Sequence, residues 1–181
     1  MICRVLSGET GACPDIEFTV QEGGFRDGGP KALVKLNNGA QMPNFGFGTA
    51  ASGLLENSER TAQSVREAIE VGYRLFDTTE RYGNEEGVGQ AVRESGIDRS
   101  EVFITTKFNL PWHGRDLVRG AFVASAKRLG MDYVDMLIIH WPNPKEDRFV
   151  DAGLGMVDLL REGSVRAIGM SNFNRRTCSG Y

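Results

Sequence analysis

Histidine and cysteine are scarce in this chain, with two and three copies in 181 residues, and neither type is grouped. There is no His-Glu-x-x-His segment, no Cys-x-x-Cys pair and no Cys/His set at ligand spacing, so a zinc site of the ordinary kind has no ligands. A serine nucleophile is equally unsupported, because it needs a histidine base and a glycine-flanked elbow and no such elbow occurs. Cys3, Cys13 and Cys178 lie near the two ends without the spacing of a disulfide framework. That pattern favours a reducing compartment, and a cytoplasmic location is expected. Positive charge is not in excess either: 21 Lys and Arg stand against 24 Asp and Glu, for a net charge of -3. Without a basic field or a Lys/Arg stripe interleaved with aromatics, nucleic acid is excluded as a partner. Long apolar runs are missing, the longest being strand-sized against the roughly 20 residues that span a bilayer, so no membrane partner is expected. The opening MICRVLSGETGACPD has no sustained apolar segment of the kind a signal peptide carries.

What the chain does have is alternation. Residues 1–30 are rich in Gly and polar types and read as a flexible leader, followed from 31 by a single folded unit. In ALVKLNNGAQMP the Asn38-Gly39 pair, suited to the positive φ values of a type I′ turn, predicts a short hairpin. A small-residue strand follows from Phe45 to about Ala50, then a helix from Ser58, its cap, to Val71, with Ala62, Val65, Ala68 and Ile69 as its apolar stripe. The pattern then repeats. Strands are predicted over Tyr73–Asp77, Val102–Lys107, Val134–Ile139 and Val165–Met170, and helices over Glu85–Ser95, Asp116–Leu129 and within Phe149–Arg161. In the third helix Leu117, Phe122, Ala124 and Leu129 are among the apolar positions, and Gly87 and Gly89 of the second permit close helix packing. Successive strands recur about every 30 residues, as βαβ units do, which predicts a parallel α/β fold, either a (β/α)8 barrel or a doubly wound sheet. GFGTAAS lacks the G-x-G-x-x-G order and runs into a polar loop, which counts against a dinucleotide-binding sheet.

Three of these strands end in an abrupt ionisable residue, at Asp77, Lys107 and His140, and Tyr82 lies just beyond the first of them. A charge buried unpaired at a core strand end costs several kcal/mol, whereas in a barrel of alternating strands and helices that end is where catalytic groups collect. Singly, Asp77 could cap a loop, Tyr82 pack on the rim and Lys107 be solvated; the set is what points to function. An ammonium held by a carboxylate lowers a phenol's pKa, so Lys107 and Asp77 are expected to tune Tyr82 as a proton donor to a carbonyl, with His140 orienting the same oxygen. No side chain supplies hydride, so reduction of that carbonyl implies a nicotinamide or similar cofactor. His113, in the polar PWHGRD segment, reads as a surface residue.

These segments resemble a known family. FDTTERYGNEEGVGQAV, TTK at Lys107, LIIHWP around His140 and SNF at 171–173 are similar, in this order, to the signatures of the aldo-keto reductases. The resemblance runs from about Leu33 to Arg176 and is strongest to bacterial members of the diketogluconate-reductase type. It implies a (β/α)8 TIM barrel, reduction of an aldehyde or ketone with NADPH or NADH as hydride source, and a small-molecule carbonyl as substrate. It assigns Tyr82 as acid, Asp77 and Lys107 as its tuning pair, and His140 as the substrate-orienting group. It further implies that Ser171 and Asn172 hold the nicotinamide carboxamide, that Thr49 and Asp77 lie near its ribose, and that Phe47, Trp112 and Trp141 wall the substrate cleft. Ala50 stands where many relatives place an aromatic residue.

The family barrel has eight strands, and five are legible here before the polar tail TCSGY. An incomplete barrel of about five β/α units behind an N-terminal hairpin is therefore expected, the product of truncation. Such a chain would bind nucleotide weakly and tend to self-associate, since its outer strand edges lack partners. A catalytically inactive fragment, or a non-enzymatic binding protein on the same fold, is the alternative to a working reductase.

Overall fold

The computed structural model describes residues 32–146 and 148–174. The segment read as a flexible leader and the tail after Asn174 lie outside the described residues. Eleven regular elements follow in order: β1 (Leu33–Lys35), β2 (Gln41–Pro43), β3 (Phe47–Gly48), α1 (Ser58–Glu70), β4 (Leu75–Asp77), α2 (Glu85–Glu94), β5 (Phe103–Phe108), α3 (Arg115–Leu129), β6 (Val134–Ile139), α4 (Phe149–Arg161) and β7 (Val165–Met170). β1 and β2 form an antiparallel hairpin, while β3 to β7 pair in sequence order as one parallel sheet. Each of the four crossovers carries one helix, the first after a long polar loop, in line with the expected β/α alternation.

Element identity follows from capping and period. α1 opens at Asn57, whose side chain accepts from the Arg60 amide at 3.0 Å, so the cap is one residue earlier than Ser58. In α3 the buried face is Val118, Ala121, Phe122, Ser125, Ala126 and Leu129, whereas Leu117 remains exposed. The hairpin also departs from expectation. Gly39 has φ +88 but Asn38 is not in the left-handed region, so the turn is not type I′. Leu36 instead accepts from the Gly39 amide and donates to the Ala40 carbonyl, and Asn38 reaches across to donate to the Arg166 carbonyl on β7.

Two layers of side chains leave the sheet. Facing the helices, Phe76, Ile104, Phe108, Leu137 and Ile139 pack with Val65, Val88, Leu129, Met156 and Leu159 in the main core. On the opposite face Phe103, Met136 and Ala167 are covered by Leu36, with Met42 of the hairpin beside them. Because successive strand residues alternate faces, Leu75 and Phe103 on that inner face predict that Asp77, Thr105 and Lys107 face inward too. Their mutual hydrogen bonds confirm it.

Polar groups tie the layers together. Asp135, fully buried on β6, accepts from the Ile104 amide and pairs with Arg99 at 2.8 Å and Arg166 at 2.7 Å. Glu85, also buried, accepts from the Thr106 hydroxyl at 2.5 Å and the Arg128 guanidinium at 2.6 Å, joining α2 to β5 and α3. The close helix packing expected of Gly87 and Gly89 is found. A Cβ on Gly87 would lie 2.2 Å from the Ser58 carbonyl oxygen, and one on Gly89 only 1.8 Å from that of Leu129.

Gly89→Ala is therefore expected to destabilise the fold by about 1–3 kcal/mol or more, since backbone and not a flexible side chain must give way. Gly153→Ala, also within a helix but with nothing within 4 Å of the added carbon, should be neutral or stabilising by up to about 1 kcal/mol. Urea denaturation of both variants checks the contrast.

Candidate active site

The C-terminal ends of β4, β5 and β6 converge, and register explains how. Asp77 is level with Thr105 on β5, two residues before Lys107, so the carboxylate and the ammonium meet across one strand pair. Lys107 Nζ donates to Asp77 Oδ1 at 2.7 Å, to Oδ2 at 2.6 Å and to the Thr78 carbonyl at 3.0 Å. All three ammonium protons are thereby placed, and Lys107 is buried. Thr105 adds a 2.5 Å hydrogen bond to Asp77 Oδ1.

After β4 the chain makes a single 3-10 turn over Glu80–Tyr82, capped by the Thr79 side chain and closed by Gly83 at φ +61. The turn is anchored from both sides. Thr79 donates to the Lys107 carbonyl at 2.8 Å, and the Tyr82 carbonyl accepts from the Glu56 amide at 2.7 Å. Tyr82, half-buried, has its ring centroid 5.7 Å from Lys107 Nζ and 6.4 Å from the His140 ring, which it meets edge-on. The four residues predicted to act together are thus brought together.

The electrostatics differ from expectation in one respect. Tyr82 is not acidified: burial first, and the Asp77 charge second, raise its pKa above the usual phenol value. Lys107 spends its protons on Asp77 and Thr78, so none is left to donate to the phenol oxygen. Tyr82 accordingly stays protonated across the neutral range, the form a proton donor needs.

His140 lies at the end of β6, its amide donating to the Phe108 carbonyl and its Nδ1 3.4 Å from the Thr79 hydroxyl oxygen. Burial, then the charges of Lys107 and Arg81, lower its pKa and favour the neutral ring. Beside it, at the end of β7, Asn172 takes φ +64 and donates to the His140 carbonyl at 2.8 Å and to Ser171 Oγ at 3.0 Å.

Other predicted residues fall differently. Thr49 is fully buried and its hydroxyl contacts the Asp77 carbonyl and Asn84 Oδ1, so it braces the loop. Phe47 does not wall a cleft: paired in register with Phe76, it packs against Tyr73 and Phe76 on the helix side, as strand parity requires. Trp112 and Trp141 do line a cavity of about 690 Å³, with Glu80, Arg81, Asn109 and Arg128 among the other lining residues. Trp141 is half exposed and stacks obliquely on His140 at 6.1 Å.

Two residues escaped sequence reasoning. Asn84, fully buried, donates to the Thr49 and Leu54 carbonyls and accepts from Thr78, clipping the loop after β3 to the Tyr82 turn. Glu80 accepts from the Asn109 amide at 2.8 Å, from Asn109 Nδ2 at 3.2 Å and from Trp112 Nε1 at 2.9 Å, fixing the loop after β5. Their only sequence signal is position, on either side of Tyr82. His113 also corrects expectation. It is 1% exposed, edge-on to Phe108 at 6.0 Å, with neither ring nitrogen hydrogen-bonded.

Burial above all lowers the His113 pKa, with Arg148 acting in the same direction and Glu146 opposing. Both histidines are therefore less readily protonated in the folded chain than in the unfolded one. Below the ordinary imidazole pKa of about 6.5 the unfolded state takes up protons the native state refuses, so stability is full above that pH and falls as pH drops. In urea titrations from about pH 7.5 to 5, His113→Leu should show a shallower loss than the parent, whereas an unchanged slope would place the acid sensitivity elsewhere.

Comparison with known proteins follows this geometry. The profile of the Aldo/keto reductase family matches residues 44–179. Methylglyoxal reductase DkgA of Escherichia coli O157:H7 is 41% identical over 141 residues, covering 78% of this chain and 49% of that protein. Glyoxal reductase of Bacillus subtilis is 43% identical over 143 residues, covering 79% and 50% respectively. Among solved structures, an aldo/keto reductase from Brucella melitensis superposes with a TM-score of 0.75 at 41% identity, over 81% of this chain and 56% of that one. A Bombyx mori aldo-keto reductase in complex with NADP gives 0.73 at 36% identity, over 83% and 54%. The chain spans about half the length of the curated relatives it matches. Its five-stranded parallel sheet is the corresponding part of a (β/α)8 barrel, and the chain belongs to the aldo/keto reductase family.

Proposed function

We propose that this chain carries the proton-transfer half of an NADPH- or NADH-linked reduction of an aldehyde or ketone to an alcohol. The observation that carries the reading is the placement of a protonated Tyr82 between the Lys107–Asp77 pair and His140 at the sheet's C-terminal end. In this reading the Tyr82 hydroxyl gives its proton to the carbonyl oxygen as negative charge develops there. The Lys107 ammonium, 5.7 Å from the ring, stabilises the phenolate left behind. In the tautomer with its proton on Nε2, neutral His140 donates to the same oxygen, its bare Nδ1 lying 3.4 Å from the Thr79 hydroxyl oxygen.

The donor set at the end of β7 fits a nicotinamide carboxamide. Asn172 uses its NH2 on His140 and Ser171, leaving its own Oδ1 to accept, while the Ser171 hydroxyl proton remains to donate. A bound nicotinamide would supply the hydride to the carbonyl carbon; the alcohol then contains that hydride and the Tyr82 proton. Support for the cofactor comes from the NADP complex of the Bombyx mori relative, and for small dicarbonyl-type substrates from the names of the two bacterial relatives. Among the described residues no helix is long and apolar enough to cross a membrane.

A second reading rests on span. With about half the length of its relatives, the chain can belong to the family and still bind without turnover. The two readings separate in one assay of aldehyde-dependent NADPH consumption by the purified chain and its Tyr82→Phe variant. The catalytic reading expects turnover that falls about 10²–10⁴-fold in the variant. Equal consumption by both removes Tyr82 as the acid, and no consumption by either supports the second reading.

A further inference from the structure

The Thr79 hydroxyl has one proton and two groups that could take it. It donates to the Lys107 carbonyl at 2.8 Å, and Lys107 lies two residues past Thr105, the last residue of β5 in register with β4. The threonine thus continues the bonding between β4 and β5 beyond the end of their paired backbone. Turning its hydroxyl elsewhere would take this donor from a carbonyl on a buried residue, at the full cost of desolvation.

With that proton committed, the Thr79 oxygen has only lone pairs to offer. One accepts from the Arg81 amide at 3.5 Å, the capping contact of the Tyr82 turn, and the other faces His140 Nδ1 at 3.4 Å. Thr79 is fully buried, so water does not compete for these positions. Such an oxygen meets Nδ1 favourably only as an acceptor, which requires the ring proton to be on Nδ1. In the opposite tautomer a bare Nδ1 and a lone pair of Thr79 confront each other, unless the hydroxyl gives up its 2.8 Å contact for one of 3.4 Å.

We propose that Thr79 is a positioning residue that places the ring proton of His140: in the free chain it holds that proton on Nδ1, and the Nε2 donor form that a carbonyl oxygen needs is the minor one. The inference rests on the reductase reading above and deepens it, by naming the residue that governs how readily His140 holds the carbonyl. In passing between the two forms, one ring nitrogen gives a proton to solvent and the other takes one from it, so the net charge is unchanged. One hydrogen bond of this kind moves the equilibrium about two- to tenfold.

Nitrogen-15 NMR of the ring reads the tautomer directly, without cofactor or turnover. The chain has two histidines, so a His113→Leu variant assigns the signals by leaving His140 alone. At about pH 8, above the ordinary imidazole pKa of about 6.5 and with that of His140 lowered further, the ring is neutral. The parent should show the proton mainly on Nδ1, with Nε2 at the shift of a bare nitrogen. Thr79→Ser should keep that distribution, whereas Thr79→Val, similar in shape but without the hydroxyl, should move it about two- to tenfold toward Nε2. A parent with the proton mainly on Nε2, or a distribution that Thr79→Val leaves unchanged, overturns the inference while the reductase reading stands or falls by the Tyr82 assay. Should Thr79→Val fail to fold, the parent decides alone, Nδ1 supporting the inference and Nε2 overturning it.

Discussion

The ion pair between Lys107 and Asp77 is the constraint around which the upper end of this fold is arranged. It joins β4 to β5, and through Thr78 it also sets the first residue of the loop that delivers Tyr82. Breaking such a pair from one side leaves a charge in a site with few other partners, which is far costlier than the pair's net contribution when intact. The ammonium has no proton to spare, so what it offers Tyr82 is position and field and not a hydrogen bond. This is why the tyrosine is held protonated and close to the histidine in the free chain, instead of being ionised by its neighbour.

A ring of buried and half-buried side chains keeps that arrangement in register. Asn84 clips the loop after β3 to the Tyr82 turn, Thr79 ties the turn to β5, and Glu80 ties it to the loop bearing Trp112. Beneath them Glu85 locks α2 against β5 and α3, and the glycines of α2 let its backbone approach α1 and the end of α3. Residues 77–89 therefore set two groups proposed for chemistry, Asp77 and Tyr82, among residues that build the support for them. At the sheet's other end Asp135, with its two arginines, and the hairpin resting on β7 hold β5, β6 and β7 together.

Much of this was legible in the sequence because it depends on short-range pattern. Strand and helix identities followed from apolar period, β6 and β7 to the residue, and the inward set of Asp77, Lys107 and His140 followed from polar residues ending apolar runs. What failed depended on contacts distant in sequence. Phe47 looked like cleft lining until its register with Phe76 turned it toward the helices. His113 sat in a polar segment, yet its ring is buried against Phe108. The Tyr82 pKa was expected to fall because a lysine was near; how that lysine's protons are used is a matter of ångströms that no spacing encodes. The turn at Asn38-Gly39 was predicted from a dipeptide preference, but tertiary contact with Arg166 holds Asn38 elsewhere.

The account's central claim is that Lys107 serves Tyr82 in reducing a carbonyl, and aldehyde-dependent NADPH oxidation by the parent and by Lys107→Met tests it most directly. Circular dichroism on both proteins verifies that they are folded. The account predicts clear oxidation by the parent and a fall of about 10²-fold or more in the variant. Oxidation at the same rate in both proteins would contradict it.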